Sequence, residues 1–324
     1  MASKNVMSDD IVSRIVAVIV LVIRTIKNDV KLNPASSLRT FASQKKSALE
    51  IDLFAQGLLR MHFQKIFKQA KLVVYIGSEE CHELPKGWET HDALILTDPI
   101  DGTDLFAKDL SNWCCAVVVY KKKRILGAFI GMPNETVYFS TYRINGVRKR
   151  VPGIPEPVKV VCPRHDDVKL SETTIAWYGQ KIKNLFALVR NKKLLAKLEE
   201  IEKAEAANKK NKNEDGKFRI LNIAGNPMFM KIIDNHCSVG AVIELLGQKP
   251  HDVVPGAYLA QQAGAIFTDL NGKEINLSSC LKDPENNRVS YILSNSNNTW
   301  KELVEILKAD PDIQPAHPAN PTPG

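Results

Sequence analysis

Apolar residues recur at helical spacing in the N-terminal part of the chain and in short runs at strand spacing after it. The apolar run 15–23 predicts a helix over 9–27. Leu49, Leu53, Leu58, Leu59, Phe63, Ile66 and Phe67 predict a second over 45–70, with a break at Asn33-Pro34 and Ser36-Ser37. Leu72-Val73-Val74-Tyr75-Ile76 ends at Gly77, and Ala93-Leu94-Ile95-Leu96 is wholly apolar, as in a strand buried on both faces. The polar segment from Asp98 to Thr103 is therefore expected to begin at a strand's C-terminal end. Residues 117–120, 125–130 and 136–141 read as a meander whose turns are rich in Lys and Arg or built on Pro133-Asn134, and Asn145-Gly146 is a further turn signal. Past Pro152, Pro155 and Pro157 a second set of elements is expected: strands near 158–162 and 174–177, then a helix over about 181–206. A boundary near 153 divides an N-terminal α+β domain, 1–152, from a C-terminal α/β domain, 153–308. Residues 309–324 hold five of the 17 prolines without an apolar period and are expected to be disordered.

The run 15–23 is too short for a membrane span, which needs about 20 apolar residues. Arg14 and Arg24 flank it and no small-residue cleavage site follows, so it reads as a buried helix of a protein that does not enter the membrane. With 44% apolar and 25% charged residues, 324 residues suit two domains or one large layered one. The six cysteines (81, 114, 115, 162, 237 and 280) form no CxxC pair, and reduced, buried thiols in a cytoplasmic protein are expected. The net charge of +8 is uneven, since residues 181–219 hold twelve basic residues against six acidic ones. The lysine-rich stretch 203–217 has no aromatic side chain to stack on bases, which argues against nucleic acid; it reads as a solvated helix end and loop that could help attract an anionic substrate.

Between Leu72 and Ala107 the balance reverses: Glu79, Glu80, Glu83, Glu89, Asp92, Asp98, Asp101 and Asp104 face a single lysine, Lys86. Two carboxylates about 4 Å apart repel by roughly 4 kcal/mol at an effective dielectric near 20, so gathering several requires a cation. The simplest is a bound metal, and an oxygen-only ligand set points to Mg²⁺, Mn²⁺ or Ca²⁺ rather than zinc. In Asp98-Pro99-Ile100-Asp101-Gly102-Thr103, Pro99 fixes one backbone angle. Both carboxylates and the Ile100 carbonyl can then turn toward one point. Gly102 and Thr103 opening a helix would offer free N–H groups to a phosphate oxygen. Asp-Pro and Asp-Gly are also ordinary turn pairs. Two further features favour the metal reading: the pair Glu79-Glu80 after Gly77-Ser78, and Asp252 in His251-Asp252-Val253-Val254-Pro255-Gly256, which reads as a helix N-cap with Pro255 in the first turn.

A GEE-like segment, then DPIDGT, then a segment of the WDxxxG type resembles the inositol monophosphatase superfamily, the magnesium-dependent, lithium-sensitive phosphatases of inositol and sugar phosphates; the resemblance covers roughly residues 10–308. It implies an αβαβα five-layer sandwich like that of fructose-1,6-bisphosphatase, with the site in a cleft between the halves. It implies two or three Mg²⁺ ions, replaceable by Mn²⁺, on Glu79, Asp98, the Ile100 carbonyl, Asp101 and Asp252. Thr103 would orient the attacking water with Asp52, from a weak form of the family's Thr-x-x-Asp element, while Glu79 shares in catalysis. Asp101, Gly102, Thr103, Gly225, Asn226, Glu244 and Asp252 would contact a small phosphate ester. Three positions depart from the pattern: His251 replaces a Trp, Asp104 replaces Thr or Asn, and the spacing from Glu244 to Asp252 differs by about a residue. The implied reaction is hydrolysis of inositol monophosphate or a related sugar phosphate. Rivals are a phosphatase of fructose 1,6-bisphosphate or 3′-phosphoadenosine 5′-phosphate, suggested by Ala224-Gly225-Asn226, and a catalytically silent binder. Family members are often homodimers, on which the sequence is neutral.

Overall fold

In the computed structural model the described residues are 6–32, 41–78, 90–108, 110–122, 124–178, 182–209, 218–223, 225–234, 239–284 and 286–308. The break at 33–37, Glu79 and its acidic neighbours up to Glu89, Cys81, Cys237, residues 210–217 of the lysine-rich stretch and the tail 309–324 lie outside them.

Helix α1 (Asp9–Leu32) opens on two acids that complement its dipole, and it buries Ile15, Ile19, Val22, Ile23 and Ile26. Helix α2 (Phe41–Gln69) meets it through Ala55, Leu59, Phe63, Ile66 and Phe67, while Leu53, Phe54 and Met61 face solvent. Both helices lie on one face of a sheet that, among the described residues, has seven strands in sequence order: β1 (Val74–Ser78), β2 (Ala93–Asp101), β3 (Cys114–Lys121), β4 (Arg124–Gly131), β5 (Val137–Thr141), β6 (Val147–Arg150) and β7 (Val158–Val160). β1 runs parallel to β2, and the rest form the expected antiparallel meander. Gly131 permits close approach of α1, since a Cβ there would collide with Ile19 and Ile23.

Strand periodicity sorts the sheet's residues between two cores. Ile95, Val117, Val119 and Phe129 pack under α1 and α2, whereas Leu94, Leu96, Ala116, Val118 and Ile130 face the opposite way. That second face meets α6 (Asn226–Ile233) and α7 (Pro250–Ala263), which form the middle layer. On their far side lies a second sheet of order β11-β12-β10-β8-β9, built from β8 (Thr174–Trp177), β9 (Arg219–Leu221), β10 (Val239–Gln248), β11 (Ile266–Thr268) and β12 (Val289–Ser294). Its outer face is covered by α4 (Ile182–Arg190), α5 (Lys192–Lys209) and α9 (Asn297–Lys308), through Leu188, Leu194, Ile201, Leu303 and Leu307. Short α3 (Thr103–Phe106) and α8 (Leu277–Cys280) complete the described helices. The layers follow the αβαβα order.

Two expected elements fall differently. The strand near 158 pairs with β6 and closes the first sheet rather than beginning the second set of elements, so the first sheet runs past residue 153. The helix expected over 181–206 is two helices, because the Asn191 side chain accepts the Leu194 N–H at 2.7 Å and starts α5 as a new N-terminus. Cys114, Cys115, Cys162 and Cys280 are free and buried, and no helix among the described residues is long and apolar enough to cross a membrane.

Candidate metal and phosphate site

Strand β2 does not stop before the acidic motif but runs through it to Asp101. Its ladder with β3 pairs Asp98 with Ala116 and Asp101 with Cys114, so three steps on β2 oppose two on β3. That is a β-bulge, a place where Pro99 costs no ladder hydrogen bond. The extra residue has a chemical consequence. Asp98 and Asp101 are an odd number of residues apart and would point to opposite faces of a regular strand; the bulge turns both toward the α6–α7 layer, with Ala116 and Cys114.

Beyond Asp101 the chain turns at Gly102, whose φ of 102° is left-handed, and where a Cβ would lie 2.9 Å from the Asn112 carbonyl oxygen. Within the turn, Asp98 Oδ1 accepts the Ile100 N–H at 3.1 Å, and the Ile100 carbonyl accepts the Thr103 hydroxyl at 2.9 Å. Asp101 Oδ2 accepts the Asn226 N–H at 3.1 Å, with the Cys114 sulfur 3.8 Å away.

Asp252 reaches the site from α7, which starts earlier than the sequence suggests. Lys249 is the extended N-cap and Pro250 the first helical residue, so Asp252 is the third residue of the helix rather than its cap, and Pro255 falls in the second turn. His251 is 2% exposed, and its Nε2 lies 3.2 Å from Asp252 Oδ1. Asp98, His251 and Asp252 each present a ligand atom within 4.8 Å of the others.

The electrostatics are those of crowded, buried acids. Burial first, and then the charge of Asp252, pushes the Asp101 carboxyl up to about 8. Burial raises the Tyr178 hydroxyl, and the charges of Asp104, Asp252, Asp101 and Glu244 add to it. Asp52 is buried on α2, and the Cys115 thiol is raised by burial, then by the charges of Asp98 and Asp52. Glu244 on β10 is 1% exposed and pushed up to about 7, chiefly by burial; Oε1 accepts the Leu246 N–H at 3.0 Å, and Oε2 has no hydrogen-bond partner among the described residues. This donor set fits a divalent cation: carboxylate oxygens of Asp98 and Asp252 and a nitrogen of His251 come together, with Asp101 close enough to Asp252 that charge alone is unfavourable.

Of the residues singled out in the sequence, Asp98, Ile100, Asp101, Gly102 and Thr103 lie in one turn, and Asp252 and Gly225 are brought to it. The position where a Cβ of Gly225 would sit is 3.5 Å from both Asp101 carboxylate oxygens. Asn226 is fully buried. Its amide donates to the His251 carbonyl at 3.2 Å and accepts the Gly256 N–H at 2.7 Å, so it is committed to internal partners. Glu79 is outside the described residues, although β1 ends at Ser78 beside Thr97, the residue before Asp98. Sequence reasoning does not find Tyr178, or Tyr291, whose hydroxyl is raised by burial and then by Glu244, Asp101 and Asp252. Tyr178 just past the end of β8 and Tyr291 within β12 are single aromatic residues that carry no pattern. A separate cavity of about 640 Å³, lined by Arg124, Tyr142, Tyr258 and Glu274, contains none of the site residues.

The sequence matches the inositol monophosphatase family over residues 15–309. No curated protein sequence is matched. Among solved structures, inositol monophosphatase II of Staphylococcus aureus superposes with a TM-score of 0.61 at 14% identity, covering 94% of each chain. The IMPase of Thermotoga maritima gives 0.59 at 18% identity, covering 90% of this chain and 94% of its own. A structure described as an IMPase/NADP phosphatase with NADP and Ca²⁺ gives 0.58 at 16% identity, covering 97% of this chain and 100% of its own. At such identities the likeness establishes the fold.

Proposed function

Because the chain belongs to the inositol monophosphatase family, we propose that it is a divalent-cation-dependent phosphatase that hydrolyses the phosphate monoester of inositol or a related sugar. The observation that carries this reading is the bulge that turns Asp98 and Asp101 to one side, where Asp252 meets them.

Asp98, Asp101, Asp252 and the Ile100 carbonyl would hold the cations, with Glu79, and Mg²⁺ is the ion expected first, Mn²⁺ second. The Ile100 carbonyl has a second lone pair beside the one that takes the Thr103 hydroxyl. Bound there, the cations supply a more acidic water and neutralise charge on phosphoryl and leaving oxygens. The protein's own groups do the positioning. Since the Thr103 hydroxyl donates its hydrogen bond to the Ile100 carbonyl, its oxygen is left as an acceptor that would orient a water's hydrogen, with the Asp52 carboxylate as its partner in orienting that water. The Gly102 and Thr103 N–H groups meet phosphate oxygens, and Glu244 Oε2 accepts a hydroxyl of the polyol. The reduced, buried thiols suit cytoplasmic work.

The test is phosphate release from inositol 1-phosphate, fructose 1,6-bisphosphate and 3′-phosphoadenosine 5′-phosphate, with Mg²⁺, without it, and with added Li⁺. Release from the inositol ester that requires Mg²⁺ and falls with Li⁺ is expected. Release only from a bisphosphate would replace the substrate, and release from none would leave a silent binder.

A further inference from the structure

The site departs from an oxygen-only cage at His251. Its ring is 2% exposed, a nitrogen of it lies within 4.8 Å of ligand oxygens of both Asp98 and Asp252, and Nε2 is 3.2 Å from Asp252 Oδ1. Two donors each about 2.1 Å from one cation and at right angles to each other are about 3 Å apart, and opposite donors are about 4.2 Å apart. The separation of His251 and Asp252 therefore matches adjacent positions around a single ion. The residue is also held in place, because the Asn226 side chain binds the His251 carbonyl at 3.2 Å while the Asn226 N–H binds Asp101 at 3.1 Å. One residue thus fixes the histidine's backbone and an acid of the cluster.

We infer that His251 is a nitrogen ligand to the one cation shared by Asp98 and Asp252, and that this single position, unlike the remaining oxygen-ligated ones where Mg²⁺ is expected first, binds Mn²⁺, or another borderline divalent ion, in preference to Mg²⁺. The assignment builds on the proposed function's reading that Asp98 and Asp252 hold a cation. Imidazole nitrogen suits borderline first-row ions, while Mg²⁺ favours oxygen and gives up its water reluctantly. A nitrogen at this position therefore changes which ion the site selects without altering the carboxylates. The competing role is positional, a ring N–H donated to Asp252 with no bond to the ion.

The experiment uses the full chain, stripped with EDTA and titrated with Mn²⁺ and, separately, Mg²⁺ by calorimetry, with pulsed electron paramagnetic resonance of the Mn²⁺-loaded protein. Modulation from a directly bound imidazole nitrogen is expected in the wild type. In His251→Gln, Mn²⁺ affinity should fall by about tenfold or more, with Mg²⁺ affinity changed by less than about threefold. His251→Trp, which restores the residue usual at this position, should reproduce the loss. The spectrum of the wild-type protein carries the test even if both variants fold poorly. Mn²⁺ bound without nitrogen modulation would overturn the ligand assignment and leave the cation site standing. Failure of the wild type to bind either ion would overturn the cation site itself, and the ligand assignment with it.

Discussion

Asn226 completes the helix that Pro255 interrupts. Pro255 has no N–H to give the His251 carbonyl four residues earlier, and the Asn226 amide donates to that carbonyl instead, at 3.2 Å. Its oxygen then takes the Gly256 N–H at 2.7 Å, and Gly256 is a glycine because a Cβ there would strike Asn226 and Phe229. The side chain that restores α7 belongs to the residue whose N–H holds Asp101. Helix repair and site geometry therefore depend on one asparagine.

Asn226→Leu should accordingly destabilise the protein by about 2–4 kcal/mol, since it leaves the His251 carbonyl and the Gly256 N–H without partners in a buried position, at about 1–3 kcal/mol each. Urea unfolding measures this. A loss below about 0.5 kcal/mol would mean that α7 finds other partners.

Asp101 sets the pH dependence of the cation-free protein. Burial and the neighbouring Asp252 charge push its carboxyl up to about 8, far above the ordinary aspartate range near 4, so its contribution to stability is fully present below about pH 4 and is lost as pH rises through 8. The urea midpoint in EDTA should therefore fall between pH 5 and 8 in the wild type and fall less in Asp101→Asn. Saturating divalent cation should flatten the wild-type slope. In turnover the same variant should lose about a hundredfold or more with little loss of folding. Near-wild-type activity would remove Asp101 from the site.

The acids were legible in the sequence as residue types in order, and their meeting was not. Nothing local marks the bulge between Asp98 and Asp101, because a bulge exists only against a partner strand, here β3. The start of α7 was misplaced for a related reason. Asp252 has the composition of a cap, but Pro250 had already taken the first helical position. The strand near 158 reads as the opening of the second half because prolines precede it, yet it turns back and pairs with β6, the strand just before those prolines. Asn226 reads as a substrate contact by resemblance, and its bonds across the Pro255 gap depend on α7, which its own neighbours in the sequence do not reveal. The helices and the meander were readable because their periods are local.

Away from the chemistry, Lys149 Nζ lies 2.7 Å from both Asp234 oxygens, and the Tyr138 hydroxyl donates to Asp234 at 2.7 Å. The cluster ties β5 and β6 to the C-terminal end of α6, opposite the end at Asn226. Lys149→Met leaves a mostly buried carboxylate without its cation and should cost on the order of 3 kcal/mol. The double variant Lys149→Met with Asp234→Leu should recover much of that loss. A loss in the double variant equal to the sum of the Lys149→Met and Asp234→Leu losses would show that the pair is not coupled.

Glu244 separates binding from chemistry. Burial pushes it up to about 7, so it changes charge within the working pH range. Ionised, both oxygens accept hydrogen bonds; protonated, one becomes a donor and the group loses acceptor capacity toward a substrate hydroxyl. If Oε2 receives that hydroxyl, KM for the preferred ester should rise as pH falls from 8 to 6, with kcat less affected. In Glu244→Gln, KM should be raised by about tenfold at pH 8 and vary little across that range, since a neutral acceptor is worth about 1.4 kcal/mol less than a charged one. A KM that keeps its pH dependence in the Gln variant would place the titrating group elsewhere. A kcat that falls with KM unchanged would assign Glu244 to the chemical step.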